Sequence, residues 1–418
     1  MKTPATVEEA TACLQMADVP PDIVDVVNRL QQGGHAAVLV GGAVRDALRG
    51  ISAGDWDVAT SATPEQVEKL FRRTIPTGVA HGTVTVLVGR GERRRSIEVT
   101  TFRGEGVYVD GRHPSEVMFL PHLEGDLERR DFTVNAFAWD PVAQVFIDRF
   151  AGLDDLARGV VRAVGDPLAR FREDGLRTMR AVRFCATLEF SLDPATSDAI
   201  VGALDVLDRV SRERVRAELV RLLAAQRPSL GLGPMARTGM WKHVLPSVPE
   251  HVLEPTLKAV DAMRPDAIVR LARLLWPLRN ARERILTSID DLRVSKDERA
   301  TIAALVNPVW EALVYENDPA KLRAVIARGG VLRIEDVMDM LGLVPDKRAS
   351  IRAACEGAPM ELRALAISGR DLISTGIVEP GPRMGELLAI LHAWALDDPR
   401  RNTREALLDE AQRRLART

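Results

Sequence analysis

The chain has 418 residues, of which 46% are hydrophobic and 28% charged, and its formal net charge is −2. This length predicts more than one domain, because single hydrophobic cores stop growing well below it. The near-neutral charge excludes a polycation, so nucleic acid would have to bind at local basic patches. No apolar run approaches the roughly 20 residues of a membrane span, and the N-terminal stretch is acidic where a signal peptide is basic. We therefore predict a cytoplasmic protein.

The cysteines offer no site of their own. Cys13, Cys185 and Cys355 lie too far apart in sequence for a zinc knuckle or a CxxC redox pair. We interpret them as ordinary thiols of a reducing compartment. Arginine outnumbers lysine, which suits phosphate and base recognition but is equally explained by genome composition.

In the first 150 residues, short runs rich in β-branched residues alternate with helical patterns. The predicted strands are 36–40, 83–88, 96–102, 115–120 and 145–150. The predicted helices are 21–32, 43–49 and 64–72. After about residue 151 the strand patterns stop, and amphipathic helical patterns separated by Pro, Gly and Asp continue to the C-terminus. The sequence therefore predicts an α+β head followed by a long all-α region.

The first candidate site is a strand-to-helix turn at Gly41-Gly42. Glycine lets the backbone approach an anion, and the N-terminus of the following helix supplies oriented N–H groups. Arg45, in the first turn of that helix, could reach the same phosphates. The pattern alone is also that of an ordinary tight turn.

Asp55 and Asp57 follow on a short extended segment. Residues two apart on a strand face the same side, so both carboxylates aim at one point, where a cation would relieve their repulsion. Mg²⁺ suits such oxygen ligands and takes further oxygens from phosphates, so this pair beside a phosphate-binding turn predicts metal-dependent phosphoryl transfer. Glu98 could add a third carboxylate from a neighbouring strand. The alternatives are a polar turn for the aspartates and an exposed strand position for Glu98.

Residues 170–184 predict a helix, on which Asp174, Arg177, Arg180 and Arg183 follow one another at intervals of one turn. An Asp that accepts from an exocyclic amino group, beside an Arg that donates to a ring nitrogen, would select cytosine and adenine over guanine and uracil. Such a pair would need no nucleic-acid template. The alternative is a solvated helix face with an ordinary ion pair.

Five segments resemble, in order and approximate spacing, the motifs of class II tRNA nucleotidyltransferases and bacterial poly(A) polymerases. They are LVGGAVRDALRG…DWDVAT, EVTTFRGEGVYVDGRHPSEVMF, DLERRDFTVNAFAWD, REDGLRTMRAVRF and SRERVRAEL, between residue 36 and about residue 225. The resemblance implies a polymerase-β-like nucleotidyltransferase head with a small mixed sheet. It also implies a helical neck that recognises the nucleotide and its base, a helical body, and a helical tail that binds tRNA. We predict these four parts at 1–150, 151–225, 226–330 and 331–418.

The residues that match the family's functional positions form two groups. By this resemblance, Asp55 and Asp57 are catalytic and bind the metal, with Glu98 as the further catalytic candidate. The implied nucleotide-binding residues are Gly42, Arg45, Arg130, Asp174, Arg177, Arg180 and Arg183, of which Asp174 and Arg177 match the base-selecting pair. The implied cofactor is Mg²⁺, as two ions, and the implied substrates are ATP, CTP and tRNA.

The implied reaction adds CCA to the 3′ end of tRNA and releases pyrophosphate. The segment 104–116 has the full length that CC-adding members of the family lack. A-adding enzymes and poly(A) polymerases share the motifs and stay open, and a noncatalytic tRNA-binding protein is the rival from another class. Some relatives carry an HD phosphohydrolase domain, but this sequence has no His-Asp dipeptide, so that activity is not expected.

Overall fold

The computed structural model describes residues 3–78, 82–89, 94–104, 118–249, 251, 253–330 and 333–416. The fold divides into two compact units, Met1–Leu245 and Pro246–Thr418. No helix among the described residues is long and apolar enough to cross a membrane. The finer division into head, neck, body and tail stays a prediction.

The first unit contains the strands. They are β1 (Ala37–Val40), β2 (Asp57–Thr60), β3 (Thr74–Gly78), β4 (Thr83–Val88), β5 (Arg95–Thr101), β6 (Phe137–Asp140), β7 (Val145–Asp148), β8 (Val160–Val161) and β9 (Ser191–Leu192). Seven of these described strands form one mixed sheet in the order β3-β4-β5-β2-β1-β6-β7. Within it β2 and β5 are parallel and the other neighbours antiparallel. β8 and β9 form a separate parallel pair.

Helices surround this sheet and continue beyond it in the first unit. They are α1 (Val7–Gln15), α2 (Pro21–Gln32), α3 (Gly42–Leu48), α4 (Pro64–Leu70), α5 (Leu123–Glu128), α6 (Gly152–Arg158), α7 (Pro167–Glu173), α8 (Leu176–Leu188), α9 (Pro194–Val201), α10 (Leu204–Leu207), α11 (Arg212–Leu223), α12 (Ser229–Arg237) and α13 (Trp241–Val244). A 3₁₀ turn covers Thr133–Asn135.

The described part of the second unit is helical. Its helices are α14 (Leu253–Ala262), α15 (Ala267–Leu275), α16 (Arg282–Asp291), α17 (Lys296–Leu305), α18 (Ala312–Tyr315), α19 (Pro319–Gly329), α20 (Ile334–Leu341), α21 (Pro345–Cys355), α22 (Gly369–Ser374), α23 (Pro382–Asp397) and α24 (Arg404–Leu415). Near the C-terminus, Leu372 of α22, Leu391 of α23 and Leu407 of α24 are each 0% exposed and share one hydrophobic cluster. The amphipathic patterns read from the sequence therefore bury apolar faces against one another.

The core of the head follows from strand alternation. Val38, Val40 and Ala138 pack in one cluster with Leu127 of α5. Successive strand residues face opposite sides, and α2 packs against β1. Buried residues recur on α2 at Ile23, Val26, Val27 and Leu30, the spacing of one helix face, after a proline at its first position.

Most of the predicted head elements are confirmed. The helices predicted at 21–32, 43–49 and 64–72 are α2, α3 and α4, and the strands at 36–40, 83–88, 96–102 and 145–150 are β1, β4, β5 and β7. Residues 115–117 of the fifth predicted strand lie outside the described residues, and Phe119 forms an isolated bridge with Arg103. The prediction that strands stop after residue 151 is wrong, because β8 and β9 pair at two residues each. Strands of two residues are too short to show the alternation or the β-branched runs from which strands are predicted.

The prediction of one helix over 170–184 is also wrong. α7 ends at Glu173, Asp174 is extended (φ −142°, ψ 106°), and α8 begins at Leu176. Asp174 Oδ1 accepts a hydrogen bond from the Leu176 backbone N–H at 3.0 Å, which satisfies a free donor of the new helix. Asp174 and Arg177 are therefore not one turn apart on a single helix.

Gly175, between α7 and α8, passes close to the backbone of Val206. A Cβ at Gly175 would lie 2.6 Å from the carbonyl carbon and oxygen of Val206. We expect Gly175→Ala to destabilise the first unit by about 2 kcal/mol, because backbone atoms cannot move aside as a side chain can. The measurement is denaturant unfolding. Gly233→Ala is the matched control, since its Cβ would meet only the mobile end of Arg237, and an equal loss in both variants would contradict the steric explanation.

Candidate active site

The turn between β1 and α3 requires glycine. Gly41 has φ +79°, in the left-handed region that side chains disfavour. A Cβ there would also lie 3.0 Å from Nη1 of Arg130. Gly42 begins α3, which has no side-chain cap, and lines a cavity together with Arg45. The missing side chain at Gly41 therefore leaves room for the guanidinium group of Arg130 beside the turn.

Three carboxylates meet beside this turn. Asp57 is the first residue of β2, and the parallel neighbour β5 carries Glu98. Asp55 lies two residues before Asp57 in the chain. Solvent reaches the Asp57 side chain, yet surrounding protein atoms reduce its hydration. Burial, together with the carboxylates of Glu98 and Asp55, raises the pKa of Asp57 to about 6, against the opposing influence of Arg130. Negative charge is therefore crowded here, as at sites that take a cation.

The donor set fits a divalent ion that a substrate would help to hold. Among the described residues, no group of three or more His, Cys, Asp or Glu side chains is arranged to bind a metal by itself. Mg²⁺ usually takes one or two protein carboxylates and completes its shell with water and phosphate oxygens. Asp55 and Asp57 match that requirement.

A first cavity, of about 560 Å³, opens at Asp57 and Glu98. Most of the predicted site residues line it, and several unpredicted ones do so as well. The predicted ones are Gly42, Arg45, Asp57, Glu98, Arg130, Asp174, Arg177 and Arg180. Others are Gly41, Arg103, Asp126, Arg129, Asp131, Asn135 and Arg214. Its many guanidinium groups suit a polyphosphate.

A second cavity, of about 480 Å³, adjoins the first at the carboxylates. Asp55 lines it with Arg95, and Asp57 and Glu98 line both cavities. The structure therefore brings Glu98 to the aspartates, although its catalytic role stays a prediction. Because the two cavities share Asp57 and Glu98, each could hold one substrate with its reacting group at these carboxylates.

Asp174 and Arg177 both line the first cavity. The Arg177 backbone N–H donates to the Asp174 carbonyl oxygen at 3.0 Å, but the two side chains do not pair with each other. Asp174 Oδ2 accepts from Nη2 of Arg214 at 2.9 Å. Arg177 Nη1 donates to Glu173 at 2.5 Å, and its Nη2 donates to the carbonyl oxygen of Arg129 at 2.8 Å. Both side chains are thus held by other residues on the cavity wall.

Arg180 and Arg183 differ in their surroundings. Arg180 forms an ion pair with Asp131, whose carboxylate raises the arginine's pKa. Arg183 donates to Glu218 at 2.5 Å, and its guanidinium lies 3.8 Å from the centroid of the Phe184 ring. Arg180 lines the first cavity, whereas Arg183 is not among the described residues that line it. A direct nucleotide contact by Arg183 stays a prediction.

Sequence reasoning missed the polar residues that organise the arginines. Asn135 accepts from Nη1 of Arg45 through its side-chain oxygen, and Asp131 Oδ1 accepts from the Asn135 amide at 3.0 Å. Both residues belong to the segment DLERRDFTVNAFAWD, from which only Arg130 was predicted. Polar residues within an otherwise apolar stretch were the available signal.

The raised pKa of Asp57 predicts pH-dependent binding of divalent ions. Above about pH 6 the carboxylate is ionised and can bind a cation, whereas below that pH it binds a proton instead. We expect the apparent affinity for Mn²⁺ to fall up to about tenfold per pH unit below about pH 6. Calorimetric titration of nucleotide-free protein measures this affinity. The same slope in Asp57→Asn would contradict the assignment to Asp57.

Family models match three parts of the chain. Residues 37–162 match "Poly A polymerase head domain", residues 189–251 match "Probable RNA and SrmB- binding site of polymerase A", and residues 268–411 match "tRNA nucleotidyltransferase domain 2 putative". Together these matches cover most of the chain, in the predicted order of head before helical region.

Relatives match over nearly the whole length. The CCA-adding enzyme of Lactococcus lactis subsp. lactis (strain IL1403) is 34% identical over 409 residues, which cover 96% of this chain and 100% of that protein. The CCA-adding enzyme of Levilactobacillus brevis is 35% identical over 387 residues, covering 92% and 95%. The crystal structure of the Bacillus stearothermophilus CCA-adding enzyme in complex with CTP has a TM-score of 0.76 and 31% identity, covering 96% of this chain and 100% of that one. These likenesses confirm the predicted fold class.

Proposed function

The chain belongs to the family of class II tRNA nucleotidyltransferases and bacterial poly(A) polymerases, and from that premise we propose that it adds CCA to the 3′ end of tRNA. Relatives at about a third identity over nearly the full length are CCA-adding enzymes. The observation that carries the proposal is the meeting of an arginine-lined cavity and a second cavity at Asp57 and Glu98. Such a site suits a nucleoside triphosphate and an RNA end.

In the proposed reaction, the terminal 3′-hydroxyl of the RNA attacks the α-phosphorus of CTP or ATP. The bond from that phosphorus to the bridging oxygen breaks, pyrophosphate leaves, and the hydroxyl proton is lost. Gly42, Arg45 and Arg130 bind the triphosphate. Asp174 and Arg177 select the base, and Arg180 and Arg183 make additional contacts to the nucleotide. Catalysis then comes mainly from positioning and from stabilisation of charge on the phosphate oxygens.

Asp55 and Asp57 would hold Mg²⁺, as two ions, with Glu98 as the additional carboxylate. When bound, the metal supplies positive charge to the phosphate oxygens and to the attacking hydroxyl. Burial, together with the carboxylates of Glu98 and Asp55, raises the pKa of Asp57. The repulsion among these carboxylates supports the assignment, since a cation would relieve it.

The division of labour follows the four predicted parts, 1–150, 151–225, 226–330 and 331–418. The model matched at 189–251 is described as a probable RNA-binding site, which supports RNA contact by the helical region. The Thermotoga maritima CCA-adding enzyme complexed with tRNA shares the fold, with a TM-score of 0.71 and 21% identity. The three cysteines are free, which agrees with the proposed cytoplasmic location.

The test uses purified protein, Mg²⁺ and tRNA transcripts that end at the discriminator base, at C or at CC. Each is given CTP, ATP or both, and the 3′ ends are sequenced. Completion of CCA on the shortest transcript, followed by a stop, is the expected result. Addition of a single A to the CC-ended transcript alone would show that the protein is an A-adding enzyme. Long A tails would show that it is a poly(A) polymerase. No addition to any transcript would favour a noncatalytic tRNA-binding protein.

A further inference from the structure

Asp126 is a buried carboxylate in the wall of the first cavity. It lies on α5, one turn before the adjacent arginines Arg129 and Arg130, and its side chain is 2% exposed. A carboxylate so far from water is strongly disfavoured unless it is paired and hydrogen-bonded. Its partners therefore indicate what it does.

Both oxygens of Asp126 are used by donors. Oδ1 accepts from Nε and Nη2 of Arg129 at 3.1 and 2.8 Å, and from the backbone N–H of Arg103 at 3.3 Å. Oδ2 accepts from Nη2 of Arg130 at 3.1 Å. Burial raises the pKa of Asp126, but the two arginines together bring it below its ordinary value. One carboxylate thus holds two cavity arginines and retains an excess of positive charge.

Arg130 depends on this contact for its orientation. Its Nη1 donates to the carbonyl oxygen of Asn135 at 3.3 Å, and its buried Nε has no hydrogen-bond partner among the described residues. Nη1 also occupies the space that a Cβ at Gly41 would need, 3.0 Å from that position. The guanidinium is therefore fixed against the glycine turn by Asp126 on one side and by the main chain on the other.

We propose that Asp126 is a positioning residue that holds Arg130, and with it Arg129, in the geometry that binds the triphosphate of the incoming nucleotide. This inference rests on the proposed function of the cavity. Without the carboxylate, the two guanidinium groups would repel each other, and Arg130 would be free to move toward Asp57. The triphosphate would then lose a preoriented partner in the ground state and the transition state alike.

The first test compares Asp126→Asn with the unchanged protein in steady-state CCA addition. We expect the KM for CTP and for ATP to rise together by about tenfold, with kcat and the KM for tRNA changed by less than about threefold. Preference for C and A over G and U should persist, because in the proposed site Asp174 and Arg177 select the base and keep their own side chains in Asp126→Asn. The matched control is Glu124→Gln on the same helix, which removes only an exposed ion pair with Arg149.

Further variants separate this role from general stabilisation and from the proposed function. Asp126→Glu keeps the charge but displaces the carboxylate by one methylene, so positioning requires a raised nucleotide KM in this variant too. It also serves if Asp126→Asn does not fold, as judged by thermal unfolding. If folded Asp126→Asn or Asp126→Glu has a normal KM for the nucleotide while Arg130→Ala has a raised one, the role of Asp126 is overturned but the triphosphate assignment of Arg130 stands. A normal KM in Arg130→Ala would overturn the triphosphate assignment and this inference with it.

Discussion

Replacement of Asp55 by alanine is expected to reduce nucleotide addition by at least about a thousandfold while leaving the fold intact. Asp55 precedes β2 and lines the second cavity beside Asp57 and Glu98. Its loss removes half of the carboxylate pair proposed to hold the metal, so charge on the phosphate oxygens would go uncompensated. Its side chain is exposed, so the substitution creates no cavity and should cost little stability.

Addition by Asp55→Ala is measured with a CC-ended tRNA transcript and labelled ATP, and folding is followed by circular dichroism. Asp57→Asn should show the same loss, since it keeps the shape of the side chain and removes only its charge. Asp25→Ala, an exposed aspartate of α2, is the matched control and should retain full activity. If Asp55→Ala retains activity within about tenfold of that of the unchanged protein, the assignment of Asp55 as a metal ligand is wrong.

The sheet of the head could be predicted from the sequence because its strands are local patterns. β4, with the sequence TVTVLV, is a run of β-branched and apolar residues, and the prediction at 83–88 agrees with it. β2 was predicted only as a short extended segment, and two further strands of the sheet were not predicted at all. Of these two, β3 contains Pro76 and Gly78, and β6 has the sequence FAWD, which has no β-branched member. Both join the sheet through pairing with a neighbour, which sequence periodicity does not report.

The junction of α7 and α8 shows what sequence periodicity does not detect. Charged residues at intervals of one turn predicted a single helix over 170–184, although the Asp174-Gly175 dipeptide is itself a turn signal. At this break Gly175 lies against the backbone of Val206, which is about thirty residues away along the chain and outside any local sequence window.

Residue types of the site were predictable, but their partners were not. The aspartates could be named because metal-dependent phosphoryl transfer needs paired carboxylates. Arg130, Arg180 and Arg183 were named through the resemblance to the family. The ion pair of Arg180 with Asp131, and that of Asp174 with Arg214, join residues 49 and 40 positions apart. Only the folded chain brings such groups together, so the organising roles of Asp131 and Arg214 could not be read from spacing.

These partners bear on base selection. Asp174 already accepts from Arg214 and from the Leu176 N–H, yet carboxylate oxygens have two lone pairs each and can accept from a base amino group as well. Arg177 uses three of its five N–H groups on Arg170, Glu173 and Arg129, as far as the described residues show. Two donors are left to reach a ring nitrogen or a carbonyl oxygen of a pyrimidine.

Arg177→Ala is therefore expected to weaken discrimination against GTP and UTP by about 10- to 100-fold, the range of one good contact to a base edge. It also removes the bonds to Glu173 and to the Arg129 carbonyl, so some loss of stability and of overall rate should accompany it. The ratio of kcat/KM for CTP to that for UTP separates the two effects, because a general loss lowers both terms equally.

Arg177→Lys sharpens the result, since it keeps the charge but lacks the fork of donors. It should retain more stability than the alanine variant and still misincorporate. Arg172→Ala, with a side chain 54% exposed on the neighbouring helix α7, is the matched control and should leave the ratio unchanged. If Arg177→Ala lowers the rate with CTP and UTP alike, the residue only ties α8 to the Arg129 main chain and reads no base. Selection would then have to come from Asp174 or from the shape of the cavity.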